Sequence, residues 1–438
     1  MSYFYENSAK MLIYFKVGNY KSIKDPVILN FNASSISEHN ISNVIQDDKI
    51  PLLKSILLYG HNASGKSKIL DAFVYFIWFI NNSATDKQSN EQIDVEPFEF
   101  YESTTKQPSF FEVSFILGKM KYRYGFEADK DSIHKEWLLE SKPLKDAKEY
   151  PVFLRLKQNF EIEYKRFENS EQLDKRTRQN ALFLSVASQW NVSKAQKIDG
   201  WIQSIFTVHG MADDKYRNFT IDLLNEKKYT QLINNFIKKA DLGINSVDVV
   251  DIPIKLEDII KRVPDKLKGI FKEEFKERSE KAVFTIHNKY NDNNEVIGAV
   301  TFLMDKSESE GTKKYFNIIG LLITALLEGR LVIIDEFDAR LHTILSKAIL
   351  KLFNSSIIKS NAQLLVASHD TALLDRELLR RDQIYFIEKD NYGASKATSL
   401  VEYKPRKDTT YDKNYLEGKY GAIPFIEDLE NLITNGKS

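Results

Sequence analysis

Gly60-His61-Asn62-Ala63-Ser64-Gly65-Lys66-Ser67 sets two glycines with four residues between them and follows the second with Lys and Ser. The stretch before it, Ser55-Ile56-Leu57-Leu58-Tyr59, reads as a short buried strand. Lys66 to about Asn82, rich in Ile, Leu, Phe and Trp, reads as a buried helix. A phosphate-binding loop requires that strand–loop–helix context. Its glycines let successive backbone N–H groups turn inward, and the helix N-terminus adds partial positive charge. In such a loop Lys66 reaches the β- and γ-phosphates of ATP and the Ser67 hydroxyl holds Mg²⁺. Gly60, Asn62, Ala63, Ser64, Gly65, Lys66, Ser67 and Lys68 are the candidates for nucleotide contact.

A second stretch answers the first. Leu331-Val332-Ile333-Ile334 is an apolar strand that runs straight into Asp335-Glu336. An acid at that place holds magnesium beside the phosphate loop, and the neighbouring Glu336 can orient and deprotonate the attacking water. Many buried strands end in acids, so the pair gains weight from its surroundings. Phe337-Asp338-Ala339-Arg340-Leu341-His342 follows directly. Ser368-His369-Asp370 closes the next apolar strand, and Ser307-Glu308-Ser309-Glu310-Gly311-Thr312 stands just before a helix.

Between these stretches the chain alternates β and α elements, which implies a mostly parallel sheet with helices on its faces. Strands are expected at Met11 to Ile23, Val27 to Phe31, Phe98 to Tyr101, Phe110 to Leu117 and Lys121 to Phe126, with a hairpin turn at Gly118-Lys119. Asp131 to Ser141 opens a more helical, charged region. From Pro143 to Lys281 prolines are sparse, and Gly200, Gly210 and Gly243 interrupt any long heptad run, so a compact helical lobe is expected. The Lys-rich stretch Lys266 to Lys281 reads as a solvated helix face. Strands resume at Ala282 to His287 and Gly298 to Met304, followed by a helix from Thr312 to Leu327. The expected fold is α/β, with residues 11–140 and 282–438 as the two halves of a nucleotide-binding domain around an inserted lobe, 141–281.

Lys plus Arg and Asp plus Glu both number 62, so net charge gives no support for bulk nucleic-acid binding, although a local basic patch touching DNA remains compatible with it. The absence of cysteine excludes disulfides and thiolate metal sites. Met1 to Lys10 lacks an apolar core of signal-peptide length, and Ile69 to Ile80 is too short to span a bilayer. A soluble cytoplasmic protein without membrane contact is expected.

With these motifs in order, the chain resembles the ATP-binding-cassette-type ATPases of the SMC/RecF group. The resemblance implies magnesium and water-activating roles for Asp335 and Glu336, and gives Asp338 to a loop that crosses a dimer interface. It makes His369 a switch histidine at the γ-phosphate. Ser309-Glu310-Gly311-Thr312 is similar to the signature motif that caps ATP bound on a partner subunit, although the usual Leu-Ser-Gly-Gly is not present. It also suggests Asn19 to Ile23 for the adenine pocket. Asn62-Ala63-Ser64, Arg380-Arg381-Asp382-Gln383-Ile384-Tyr385 and Tyr415 to Pro424 narrow the likeness to the AAA15-type ATPases. That group includes RloA and AbiLi and is related to the ATPase of the PARIS system. It more often has Asn where Lys68 stands.

Membership there implies phage defence. The ATPase assembles with itself, at least as a dimer, and controls a separately encoded effector such as a nuclease or Toprim-like protein. The competing reading is a RecF/SMC-like repair ATPase that clamps DNA. Residues 370–438 are too few for a fused Toprim domain, so no nuclease activity is expected of the chain itself.

Overall fold

The computed structural model describes residues 9–46, 50–85, 88, 91–210, 212–240, 242–254, 278–404 and 410–421. Contacts divide the chain into two units. Met1–Met211, Ala325–Ala339 and Ser346–Ser438 form the first; Ala212–Thr324 and Arg340–Leu345 form the second.

The first unit holds an antiparallel sheet of seven strands. They are β1 (Lys10–Gly18), β2 (Val27–Asn30), β6 (Ser109–Leu117), β7 (Met120–Ala128), β8 (Ile133–Ser141), β9 (Tyr150–Leu156) and β10 (Asn159–Ile162), in the order β10-β9-β8-β7-β6-β1-β2. The pair β3 (Val44–Ile45) and β4 (Leu52–Leu53) stands apart from it. Helix α1 (Lys66–Asn82) is buried along Ile69, Leu70, Ala72, Phe73, Phe76, Ile77, Phe79 and Ile80. Its aromatics meet those of the sheet: Phe73 stacks on Phe15 at 4.1 Å and Phe76 on Phe126 at 5.8 Å. Each such ring, fully buried, contributes about 1.5–3 kcal/mol of burial free energy. The helix that carries Lys66 and Ser67 is thereby held to a rigid sheet.

The second sheet of this unit consists of β11 (Phe206–His209), β15 (Leu331–Asp335), β16 (Gln363–Ser368), β5 (Ser55–Tyr59), β17 (Ile384–Lys389) and β18 (Ser395–Ser399), in that spatial order. The first five are parallel; β18 returns antiparallel. β5, β15 and β16 are buried at every position, as continuous apolar runs in a covered parallel sheet must be. Parallel strands bring their C-terminal ends to one edge. The loop after β5, the acids after β15 and His369 after β16 therefore share that edge, where open α/β sheets bind ligands. This is the α/β fold of a P-loop nucleoside triphosphatase. Two further helices of the unit, α3 (Phe183–Gln189) and α4 (Ser193–Gln203), come after the single turn α2 (Glu102–Thr105).

The second unit has its own antiparallel sheet, β12 (Ser246–Ile254), β13 (Arg278–Tyr290) and β14 (Val296–Leu303), with helices α5 (Arg217–Leu224), α6 (Lys227–Lys239) and α7 (Met304–Ser307). Then come α8 (Glu310–Glu328) and α9 (Thr343–Phe353). No helix among the described residues is long and apolar enough to cross a membrane.

Several expectations are corrected. Asp131 to Ser141 is not helical: it is β8, paired on both sides. Two of its charges, Glu136 and Glu140, misled because they are buried, while Lys135 is exposed. Glu136 is fully buried and accepts hydrogen bonds from Tyr124, Arg155 and the backbone N–H groups of Phe183 and Leu184. Glu140, also buried, pairs with Arg166 and Lys194. The stretch 143–281 holds β9, β10, β11 and β12 as well as helices. Phe98 to Tyr101 forms no strand; it turns into α2. The first strand stops at Gly18, where Asn19 and Lys21 adopt positive φ. Of the Lys-rich stretch Lys266 to Lys281, residues 266–277 lie outside the described residues, as do 422–424.

Candidate nucleotide site

Two close approaches shape the loop between β5 and α1. A Cβ on Gly60 would lie 2.4 Å from the Ile387 carbonyl oxygen. Gly65, at φ +106°, would place one 2.0 Å from the Ser395 Oγ. Only glycine fits either place. Ser395 also donates to the Ser64 carbonyl at 3.1 Å, shares a 2.8 Å hydroxyl contact with Ser22, and donates its backbone N–H to the Ser22 carbonyl. Three distant segments thus brace one loop. Ser395 was not legible as part of the site, because no motif surrounds it.

The Lys66 amine donates to the carbonyls of Gly60 and His61, at 2.6 and 3.0 Å. Burial lowers its pKa, while Asp335, Asp338 and Glu336 favour the charged form. Ser64 is buried, and its hydroxyl has no hydrogen-bond partner. Asn62 and Ala63 are exposed; Lys68 extends along the helix toward Asp71, at 3.7 Å.

At the end of β15 the Asp335 side chain is buried. Its Oδ1 accepts the Glu336 N–H at 2.9 Å, and its Oδ2 is buried without a hydrogen-bond partner. Burial raises the carboxyl pKa, opposed by the nearby Ser67 hydroxyl, the Glu336 N–H and His209. Glu336 sits at φ +47°, a left-handed conformation uncommon for a residue with a side chain and found where function holds strain. The neighbouring strand fixes that bend. Gly210 donates to the Asp335 carbonyl at 2.9 Å, and a Cβ there would lie 2.4 Å from the Glu336 carbonyl.

His209 is a second residue that sequence reasoning missed. It ends β11 in register with Asp335, and its Nε2 lies 3.8 Å from Asp335 Oδ2. Its only signal was a histidine and a glycine after a short apolar strand. On the other flank, His369 Nδ1 is 3.2 Å from Asp338 Oδ2, and the His369 carbonyl accepts the Tyr59 hydroxyl at 2.9 Å. Asp338 Oδ1 is buried without a partner. Lys66, Ser67, Asp335, Glu336, Asp338 and His369 all belong to the first unit.

Ser309 and Gly311 belong to the second unit. Ser309 Oγ accepts the Thr312 N–H at 3.1 Å and lies 3.0 Å from the Thr312 hydroxyl, the geometry of a helix N-cap for α8. A Cβ on Gly311 would lie 2.6 Å from the Arg340 carbonyl. Glu308, just before, is held by Thr285 and His287, at 2.6 and 2.9 Å. His342 Nδ1 accepts the Ile344 N–H, so it caps the start of α9. The suggested adenine pocket at Asn19 to Ile23 is mostly closed. Asn19, Tyr20 and Ile23 are buried, and Tyr20 packs on Tyr75 and Phe111.

The donor set fits a hydrated magnesium ion bound together with phosphates. It offers hard oxygen ligands, and one buried carboxylate oxygen, Asp335 Oδ2, accepts no hydrogen bond, with the His209 ring nitrogen 3.8 Å away.

A family model described as "AAA domain, putative AbiEii toxin, Type IV TA system" matches residues 55–375. No curated protein matches the sequence. Among solved structures, the chain is similar to the SMC head domain from Thermotoga maritima, at 14% identity over 89% of this chain and 98% of that one, with a TM-score of 0.40. It is similar to an SMC head bound to the C-winged helix domain of ScpA at 14% identity, covering 90% and 99%, with a TM-score of 0.39. For the recombination mediator RecF with ATP the values are 13%, 91%, 100% and 0.33.

Proposed function

The chain belongs to the family described as "AAA domain, putative AbiEii toxin, Type IV TA system", and from that membership we propose that it binds and hydrolyses ATP as a subunit of a bacterial anti-phage system of the abortive-infection type. It assembles with itself and controls a separately encoded effector. One observation carries the ATPase reading: the phosphate loop, the buried open oxygen of Asp335 and the bent Glu336 lie at one edge of one sheet.

Each residue has a task there. The loop N–H groups and the start of α1 cradle the phosphates. Lys66 exchanges the carbonyls of Gly60 and His61 for β- and γ-phosphate oxygens. Ser67 and Asp335 would hold Mg²⁺, which when bound neutralises charge developing on the phosphates. Glu336 orients a water molecule in line with the γ-phosphorus and takes its proton. His209, whose Nε2 lies 3.8 Å from Asp335 Oδ2, orients that carboxylate. His369, oriented by Asp338, contacts the γ-phosphate. Ser309 and Gly311 of a second copy cap the same phosphate.

The test has two arms. Phosphate release by the purified protein should vanish in Lys66→Ala; release at the wild-type rate would refute the loop assignment. Cells carrying the gene with its neighbours should resist phage, and Lys66→Ala should remove that resistance. Full resistance in the variant would refute an ATP-dependent role in defence.

A further inference from the structure

The suggested adenine pocket is mostly buried, so a nucleotide on this loop needs another seat for its base. The sheet order shows on which side to look. Asp335, Glu336 and His369 follow β15 and β16, on one flank of β5. If the γ-phosphate faces them, the rest of the nucleotide leaves toward the opposite flank, where β17 and β18 lie.

Two large exposed aromatics stand on that flank. Tyr392, 68% exposed, sits in the turn joining β17 to β18, and Phe100, 71% exposed, packs against the same turn. A Cβ on Gly393, at φ +83°, would lie 2.5 Å from the Phe100 ring. Two residues further on, Ser395 touches Ser64 and Gly65. Two residues of chain span at most about 7 Å, so the Phe100 ring edge lies close to the phosphate loop.

Both rings are held on stiff supports. Asp390 Oδ1 accepts the N–H groups of Tyr392 and Ala394, at 2.9 Å each. Asn19 Oδ1 accepts the Phe98 N–H, and Lys21 donates its N–H to the Glu96 carbonyl. The β1–β2 turn therefore does not take the base itself; it fixes the segment that presents Phe100. Phe98 meets Phe100 edge-on at 5.4 Å, and Tyr101 meets Tyr392 edge-on at 6.3 Å, so each exposed ring is backed by an aromatic neighbour.

Resting on the phosphate-loop reading above, we propose that Phe100 and Tyr392 form the stacking platform for the purine base of the nucleoside triphosphate. Stacking on an aromatic face tolerates any purine, so ATP and GTP both use it. Inorganic tripolyphosphate, which has no base, does not.

The experiment compares binding of Mg-ATP, Mg-GTP and magnesium tripolyphosphate to wild type and to Phe100→Ala/Tyr392→Ala. Loss of a stacked base weakens binding by roughly 5- to 100-fold. Kd for both nucleotides should rise by that factor in the double variant, with Kd for tripolyphosphate within twofold of wild type. Nucleotide Kd values within twofold of wild type would overturn the platform. Phe100→Trp gives a reading if the double variant does not fold: its fluorescence should change with ATP and not with tripolyphosphate, and equal responses would overturn the proposal. Failure of the wild type to bind tripolyphosphate would refute the phosphate loop instead, a separate outcome.

Discussion

The phosphate loop with its acids and the Ser309 turn both present a small-residue bend before a helix, yet they differ in what they leave open. Around the loop, the buried oxygens Ser64 Oγ, Asp335 Oδ2 and Asp338 Oδ1 have no hydrogen-bond partner. A buried polar group without a partner costs about 1–3 kcal/mol, so a fold that keeps three beside one loop has reason to receive a ligand there. At the other bend Ser309 Oγ is engaged with Thr312, while Glu310 lies 3.0 Å from Lys313 and 3.6 Å from Arg340. The first region is incomplete by itself. The second has already satisfied its own polar atoms, so any part it plays in the chemistry must draw on N–H groups of α8 or on a rearranged Ser309.

The largest effect that would sharpen this contrast is loss of the loop cation. Lys66→Ala should reduce phosphate release below detection while the fold, read by circular dichroism, is retained. Glu336→Gln comes next. General-base contributions are about 10²–10⁴-fold, so kcat should fall on that scale while ATP still binds. Weakened ATP affinity with kcat preserved at saturation would transfer Glu336 to a binding role.

His209→Ala should lower kcat about tenfold, the worth of one polar contact of ~1.4 kcal/mol, and an unchanged rate would remove His209 from the site. The smallest effect belongs to the satisfied bend. Ser309→Ala removes an N-cap and should cost about 1 kcal/mol of stability by denaturant unfolding. Ser309→Arg tests whether the bend does more than cap. Mixed with Lys66→Ala, it should restore turnover that neither variant has alone, because hybrid sites then combine one intact loop with one intact bend. Verified mixed oligomers that stay inactive, beside an active wild-type monomer, would erase the difference between the regions as a functional one.

Legibility in the sequence followed the same division. The strand–loop–helix at Ser55 to Asn82 and the apolar run into Asp335 could be read because glycine spacing and buried strands leave local patterns. β8 could not, since Glu136 and Glu140 look like solvent-facing charge until Arg155, Arg166 and Lys194 are brought to them from distant positions. Ser395 and His209 escaped for a related reason: each enters the site through sheet register, which sequence spacing does not carry. The adenine suggestion at Asn19 to Ile23 came from the family resemblance alone, whereas Asn19 spends its side chain on Phe98, Thr104 and Gln107.

The bracing of the phosphate loop also sets a schedule for the protein's synthesis. Ser64 and Ser395, which hold one another, are 331 positions apart. At translation rates of 5–20 residues per second, roughly 15–65 s pass between them. Throughout that interval the nascent chain carries the whole Gly60–Ser67 motif without the serine that braces it. The loop therefore gains this brace only late in synthesis, and a chain cut short before β18 lacks it.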